Sequence, residues 1–186
     1  MVKNLPNLIS VLRLILSPYV LIFAYRGETL ASLLLFFTLL LSDALDGFLA
    51  RTLNARTRLG KMIDPLADKV LLLFGFISLL LTGEYRISIL LLKLMVVRDL
   101  ILVGGTLFLR KVGFVPQPSI WGKSATLVLG ITVLAGYGLN FSYHPLLVKA
   151  YYFLQFLSGT LIVVSGFDYA RKGVIFLRSK LIMERR

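Results

Sequence analysis

Four of the chain's nine acidic residues, Asp43, Asp46, Asp64 and Asp68, fall in one short stretch of an otherwise strongly apolar sequence. Asp43, Asp46, Gly47 and Ala50 follow i, i+3, i+4, i+7 spacing, which sets them along one face of a helix with Arg51 beside them. Gly60, Asp64 and Asp68 recur every four residues, again on a single helical face. Two antiparallel helices joined by the basic loop from Thr52 to Leu59 would gather all four carboxylates. Ionised carboxylates crowded in apolar surroundings repel one another and lack hydration, so they must be protonated, paired with cations or bound to metal. Two divalent ions would cancel their charge, and an all-oxygen donor set suits magnesium, manganese or calcium rather than zinc. Pairing with Arg51, Arg56, Arg58 and Lys61 is the plainer alternative. It accounts for a lone acid near a helix end better than for four acids on two registered faces. The small residues among the carboxylates leave room for a bulky ligand, although Gly47 and Gly60 would equally serve close helix packing. Metal ions beside small residues and Arg51 suit a pyrophosphate, whose charge the metals neutralise while the arginine pairs with an oxygen.

The elements that must position these residues are membrane helices. The 186-residue chain is 58% hydrophobic with a mean hydropathy of +0.86, too apolar for a soluble domain. Apolar runs fall at about residues 5–25, 30–50, 62–82, 87–109, 119–139 and 146–168. Each is long enough, at a rise of roughly 1.5 Å per residue, to cross a hydrocarbon core about 30 Å thick. The expected fold is therefore an all-α integral membrane protein of six transmembrane helices, forming one domain over residues 1–186. Turn chemistry agrees with the breaks at Arg26-Gly27-Glu28, Thr82-Gly83-Glu84, the segment from Gly113 to Pro118, and Tyr143-His144-Pro145. The stretch from Met1 to Gly27 resembles a signal peptide, but Pro6 and Arg13 interrupt it and no small-x-small cleavage site follows, so it reads as an uncleaved first span. Without cysteine there are neither disulfides nor thiolate metal sites, and the lone His144 makes no histidine cluster.

The net charge of +12 would suggest nucleic acid in a soluble protein. Here the basic residues lie mostly at the ends of apolar runs, so anionic lipids and phosphates are the expected partners and nucleic acid is not. With the N-terminus inside, Lys3, the basic loop around Arg56, Arg110, Lys111, Lys123 and the basic tail all face the cytoplasm, while the outer loops hold Arg26 and Arg86. The positive-inside rule thus predicts both termini and the carboxylates on the cytoplasmic side. The tail from Arg178 to Arg186 reads either as lying on the anionic leaflet or as a solvated tail. Gly104-Gly105, Ser158, Gly159, Ser165 and Gly166 would permit close contacts at a dimer interface.

Read in order, Asp43-x-x-Asp46-Gly47-x-x-Ala50-Arg51, then Gly60, Asp64 and Asp68, the pattern resembles the signature of the CDP-alcohol phosphotransferase family at every position. Weaker likeness extends to Asn4-Leu5-Pro6-Asn7 with Arg13, to Arg98-Asp99 and to Gly122-Lys123. The resemblance implies a homodimeric six-helix enzyme that transfers a phosphatidyl group from CDP-diacylglycerol to an alcohol and releases CMP. It implies that Asp43, Asp46 and Asp64 chiefly ligate two metal ions, with Asp68 completing the site and serving as general base. The nucleotide and pyrophosphate would lie against Asp43, Asp46, Gly47, Ala50, Arg51 and Gly60. A base is chemically required, because an alcohol is a poor nucleophile until its proton is taken.

The acceptor rests on other residues. Arg98 lies inside the fourth apolar run, where an unpaired guanidinium is expensive, so it binds a phosphate or pairs within the bundle. A pair with Asp99 or with another group of the bundle is as well supported as phosphate binding, since adjacent helical residues point apart and sequence leaves the partner open. Lys123 is a second candidate phosphate ligand or a basic interfacial anchor, and Arg13 and Lys69 are weaker candidates. Asn4-Leu5-Pro6-Asn7 and Gly122-Lys123 are most similar to family members that use glycerol 3-phosphate, the expected acceptor. Arg98-Asp99, with no arginine at 103–109, is similar to the cardiolipin-forming members that accept phosphatidylglycerol. A prokaryotic plasma membrane is the expected location. A metal-ion transporter is the alternative from another class, but it would place ligands near midplane in repeated halves.

Overall fold

The computed structural model describes residues 5–52, 60–82, 87–110 and 119–183, and every regular element in them is a helix. In order these are α1 (Leu5–Tyr25), α2 (Thr29–Thr52), α3 (Gly60–Thr82), α4 (Ile89–Arg110), α5 (Ile120–Leu139) and α6 (Pro145–Met183). The six apolar runs thus become six helices. Among the described residues, Leu8–Tyr25, Ile63–Thr82, Ile120–Leu139 and Pro145–Ser179 are long and apolar enough to cross a membrane. Among the described residues of α2, Thr29–Asp43 is an apolar stretch, and α4 carries Lys93, Arg98 and Asp99 along its length.

The turn chemistry works as the sequence predicts where the structure describes it. Gly27 has a φ of 78°. Its N–H bonds the Ala24 carbonyl at 3.0 Å and the Glu28 N–H bonds the Phe23 carbonyl at 2.9 Å, a Schellman cap that satisfies the last carbonyls of α1. His144 caps the start of α6: its Nδ1 accepts the Leu146 N–H at 3.3 Å, its carbonyl accepts the Val148 N–H, and Pro145 opens the helix with no N–H to satisfy. The expected breaks at Gly83-Glu84 and from Gly113 to Pro118 lie outside the described residues. The sixth helix runs well past the expected end at residue 168. No proline follows, Lys172 supports it through an i,i+4 pair with Asp168 at 2.7 Å, and Gly173 alone does not stop it.

Two compact units partition the chain, Met1–Ile87 with Val133–Val148, and Ser88–Thr132 with Lys149–Arg186. The first packs inside out. On α1 the buried face is Ser10, Arg13, Ser17, Val20 and Ala24, while Leu12, Ile15, Tyr19 and Ile22 are exposed. A water-soluble helix would do the reverse; apolar side chains outside and polar ones at helix contacts are what a lipid solvent selects. Deeper in this unit the Tyr137 hydroxyl lies 2.6 Å from Ser32 Oγ and also meets Ser78 Oγ, so three buried hydroxyls join α2, α3 and the end of α5. Ser32 and Ser78 donate to the Val20 and Gly75 carbonyls at 2.7 Å, so the single Tyr137 proton serves one serine oxygen at a time.

Gly75 permits that closeness. A Cβ there would run into the ring of the fully buried Phe36 and come within 3.1 Å of Val133 Cγ1. Gly75→Ala is therefore expected to destabilise the protein by about 1–3 kcal/mol through overpacking, despite alanine's better helix propensity. Loss of the monodisperse gel-filtration peak after a temperature ramp in detergent measures it, and an unchanged midpoint would show that Phe36 can move aside.

In the second unit α4, α5 and α6 meet through small and hydroxyl side chains. Thr132 Oγ1 and Ser158 Oγ are 2.9 Å apart, Thr106 Oγ1 and the Tyr169 hydroxyl 2.7 Å, and the Ser88 N–H bonds Gln155 Oε1 at 2.8 Å. A Cβ on Gly105 would press to 3.3 Å on the Tyr169 ring, and one on Gly159 would touch Leu91. Gly105, Ser158, Gly159 and Ser165 thus have close contacts within the chain itself, whereas Gly104 borders open space.

Candidate active site

The first unit holds the carboxylates. Asp43 lies towards the C-terminal part of α2, and Asp64 and Asp68 sit one turn apart near the start of α3. A third helix joins them. The Nη1 of Arg13, from α1, bonds Asp43 Oδ1 at 2.8 Å and Asp68 Oδ1 at 2.5 Å. One turn earlier, Ser10 Oγ donates to Asp64 Oδ1 at 2.5 Å. The arginine side chain is completely buried, while those of Asp43 and Asp68 are 40% and 28% exposed, so the cation lies on the protein side of the carboxylates. Ser17 anchors the same stripe by donating to the Arg13 carbonyl at 2.6 Å.

Asp43 and Asp68, 25 positions apart in sequence, therefore meet at one nitrogen, as the two-face reading expects, and Asp64 lies along the same α1 face. The side chains of Asp46, Arg51 and Lys61 lie outside the described residues, as do Arg56 and Arg58. Gly47 and Ala50 are on α2 and Gly60 opens α3, and their surroundings likewise lie outside the described residues. Among the described residues no three His, Cys, Asp or Glu side chains come together as a metal-binding group. The donor chemistry nevertheless fits a hard divalent cation: carboxylate oxygens from two helices already converge on a positive centre and keep an exposed side.

Arg13 and Ser10 are the partners that sequence reasoning did not assign to the aspartates. Arg13 figured only as a weak phosphate ligand. The signal was the spacing Ser10, Arg13, Ser17, a polar i, i+3, i+7 stripe in an otherwise apolar span.

In the second unit Arg98 ties three helices. Its Nη1 bonds Asp99 Oδ1 at 3.0 Å, its Nη2 bonds Ser165 Oγ at 2.9 Å and reaches the Gly122 carbonyl at 3.5 Å. The Asp99 pair is one of the readings open in the sequence, and the long arginine stem makes it by curling back across the angle between adjacent helical positions. The Arg98 side chain is 10% exposed, and Lys123, one residue beyond Gly122, is exposed at the start of α5. A Cβ on Gly122 would crowd Arg98 Nη2 at 3.4 Å, so the glycine keeps that approach open.

A helical protein that turns leucine and isoleucine outward while burying hydroxyls and a guanidinium group beneath partly exposed carboxylates is an integral membrane protein with a polar functional centre. Its sequence matches the family model for CDP-alcohol phosphatidyltransferase over residues 3–166, and the chain belongs to that family. It is thus a membrane phosphatidyltransferase, from a family that is generally dependent on divalent metal. It is 44% identical over 175 residues, 91% of this chain and 96% of the relative, to a CDP-diacylglycerol--glycerol-3-phosphate 3-phosphatidyltransferase of Aquifex aeolicus. It is 29% identical to the protein of the same name from Rickettsia bellii, over 90% of this chain and 93% of the relative. The Escherichia coli protein of that name is 38% identical over 45% of this chain and 46% of its own length.

Proposed function

We infer that this chain makes phosphatidylglycerophosphate, transferring the phosphatidyl group of CDP-diacylglycerol to a hydroxyl of glycerol 3-phosphate and releasing CMP. The observation that carries this reading is likeness along nearly the whole of both chains to an enzyme named for that reaction. The carboxylate pair supplies matching chemistry. Asp43, Asp46 and Asp64, with Asp68 at the edge, would hold two divalent ions, magnesium or manganese with calcium also suited to the donor set. Bound there, the ions would supply charge neutralisation at the donor's pyrophosphate.

The chain's own residues do the rest. Gly47, Ala50 and Gly60 leave room for the CDP moiety, and Arg51 pairs with a phosphate oxygen. Asp68 accepts the proton of the acceptor hydroxyl as its oxygen bonds to the lipid-bearing phosphorus. The bond from that phosphorus to the bridging oxygen breaks, and its electron pair leaves with CMP. The side chain's 28% exposure supports access to an incoming hydroxyl. Arg98 and Lys123 are assigned to the acceptor's phosphate. Support for Arg98 is its near-complete burial as a cation bonded to neutral groups at two of its three partners. Residues 1–186 would act as one catalytic domain, homodimeric, with both termini and the carboxylates on the cytoplasmic side of a prokaryotic plasma membrane.

The deciding experiment offers the purified chain CDP-diacylglycerol with glycerol 3-phosphate, phosphatidylglycerol, inositol phosphate or serine in turn, and separates the lipid products. Phosphatidylglycerophosphate should form at least about a hundredfold faster than any other product, the discrimination expected of a site built to pair an acceptor phosphate. Cardiolipin as the main product would move the acceptor to phosphatidylglycerol, and no transfer to any acceptor would end the transferase reading.

A further inference from the structure

We propose that Arg13 is a positioning residue, a built-in counter-ion that holds Asp43 of α2 and Asp68 of α3 together and sets how tightly that pair takes a divalent cation. The proposal rests on the reading of the two aspartates as part of the metal site. Three observations carry it. A single nitrogen, Nη1, makes both bonds, at 2.8 and 2.5 Å, so both carboxylates are drawn to one point of positive charge. The arginine comes from α1, so it bridges helices that the aspartates alone would drive apart. The burial is also asymmetric, 0% exposure for Arg13 against 40% and 28% for the acids. A cation can therefore approach from the open side while the guanidinium stays in place beneath.

The charge arithmetic gives the consequence. Two carboxylates with Arg13 carry one net negative charge, which tolerates the absence of metal; without Arg13 they carry two. Neutralising position 13 should therefore weaken the metal-free fold and strengthen cation binding at the same time. A residue that merely packs would not strengthen binding. Because one nitrogen suffices for both bonds, lysine should replace arginine in this respect, although not in shape.

The test uses the full chain in zwitterionic nanodiscs, with free Mn2+ followed by electron paramagnetic resonance and melting followed by gel filtration. Arg13→Gln is expected to bind Mn2+ at least about tenfold more tightly than the unsubstituted chain. It should melt lower in EDTA, with Mn2+ restoring most of the difference. Arg13→Lys should stay within about threefold of the unsubstituted affinity. Unchanged or weaker Mn2+ binding by Arg13→Gln, or lysine behaving like glutamine, overturns the proposal. A second comparison needs no metal. Adding Asp43→Asn to Arg13→Gln removes the repulsion and should recover at least half of the lost melting temperature, or restore accumulation if Arg13→Gln alone does not fold. No recovery overturns the counter-ion role. Failure of the unsubstituted chain to bind Mn2+ at all would instead remove the metal reading of the site, while the EDTA comparison still decides the role of Arg13.

Discussion

Asp68→Asn is expected to lower CMP release from CDP-diacylglycerol by about 10²–10⁴-fold, the usual contribution of a positioned general base. The substitution removes the base, together with one charge at the edge of the metal site, while sparing the structure. Asparagine has the same size, and its Oδ1 can still accept the bond that Arg13 Nη1 now gives to Asp68 Oδ1. Asp43 retains its own bond to the same nitrogen, so the arginine remains paired. Loss of one negative charge beside another also relieves repulsion, and the variant should therefore elute as a monodisperse peak and melt close to the parent. The measurement is release of labelled CMP with glycerol 3-phosphate present, alongside that folding control. Near-normal turnover by a folded Asp68→Asn would assign the proton to another acceptor.

Removal of divalent ions by excess EDTA should reduce transfer by at least about a hundredfold, because charge stabilisation at a pyrophosphate is worth several kcal/mol. Magnesium or manganese added back beyond the chelator should restore it. The protein itself should survive the treatment, since Arg13 neutralises part of the carboxylate charge without metal. Activity that persists in EDTA would mean that the aspartates serve pairing alone, as the basic residues around them first suggest. Recovery with either ion would be consistent with a donor set made of oxygen.

The helices were legible because apolar runs bounded by charge or turn residues leave a chain few choices in lipid. Arg26-Gly27-Glu28 marked an end, and the structure shows at Gly27 the positive φ that glycine accommodates without a Cβ penalty. The end of α6 was not legible. A rule that counts a spanning length stops near residue 168, whereas the described helix continues past Arg178 because nothing in between breaks its hydrogen bonding. The aspartate faces were legible from spacing, since i, i+3 and i, i+4 periodicity survives any packing. Partnership was harder to read: Asp43 and Asp68 are 30 and 55 positions from the nitrogen they share. Which cation they choose depends on the rotation of α1 against its neighbours, a tertiary property. The partner of Arg98 is open in the sequence for another reason, because the direction of a Cβ is predictable on a helix but the path of a four-torsion side chain is not.

The same sequence distances set an order of events during synthesis. Arg13 is translated before Asp43 and long before Asp68, so its helix can meet the bilayer before α2 and α3 have followed it there. A lone arginine near the middle of a span costs about 2.5–3.5 kcal/mol to insert, a burden the flanking leucines and isoleucines of α1 can outweigh. From then on the exposed charge favours whichever arrangement brings it a partner, and α2 and α3 arrive carrying one each. The ion pair that marks the finished site is thereby also a reason for the first three helices to assemble with one another as they emerge.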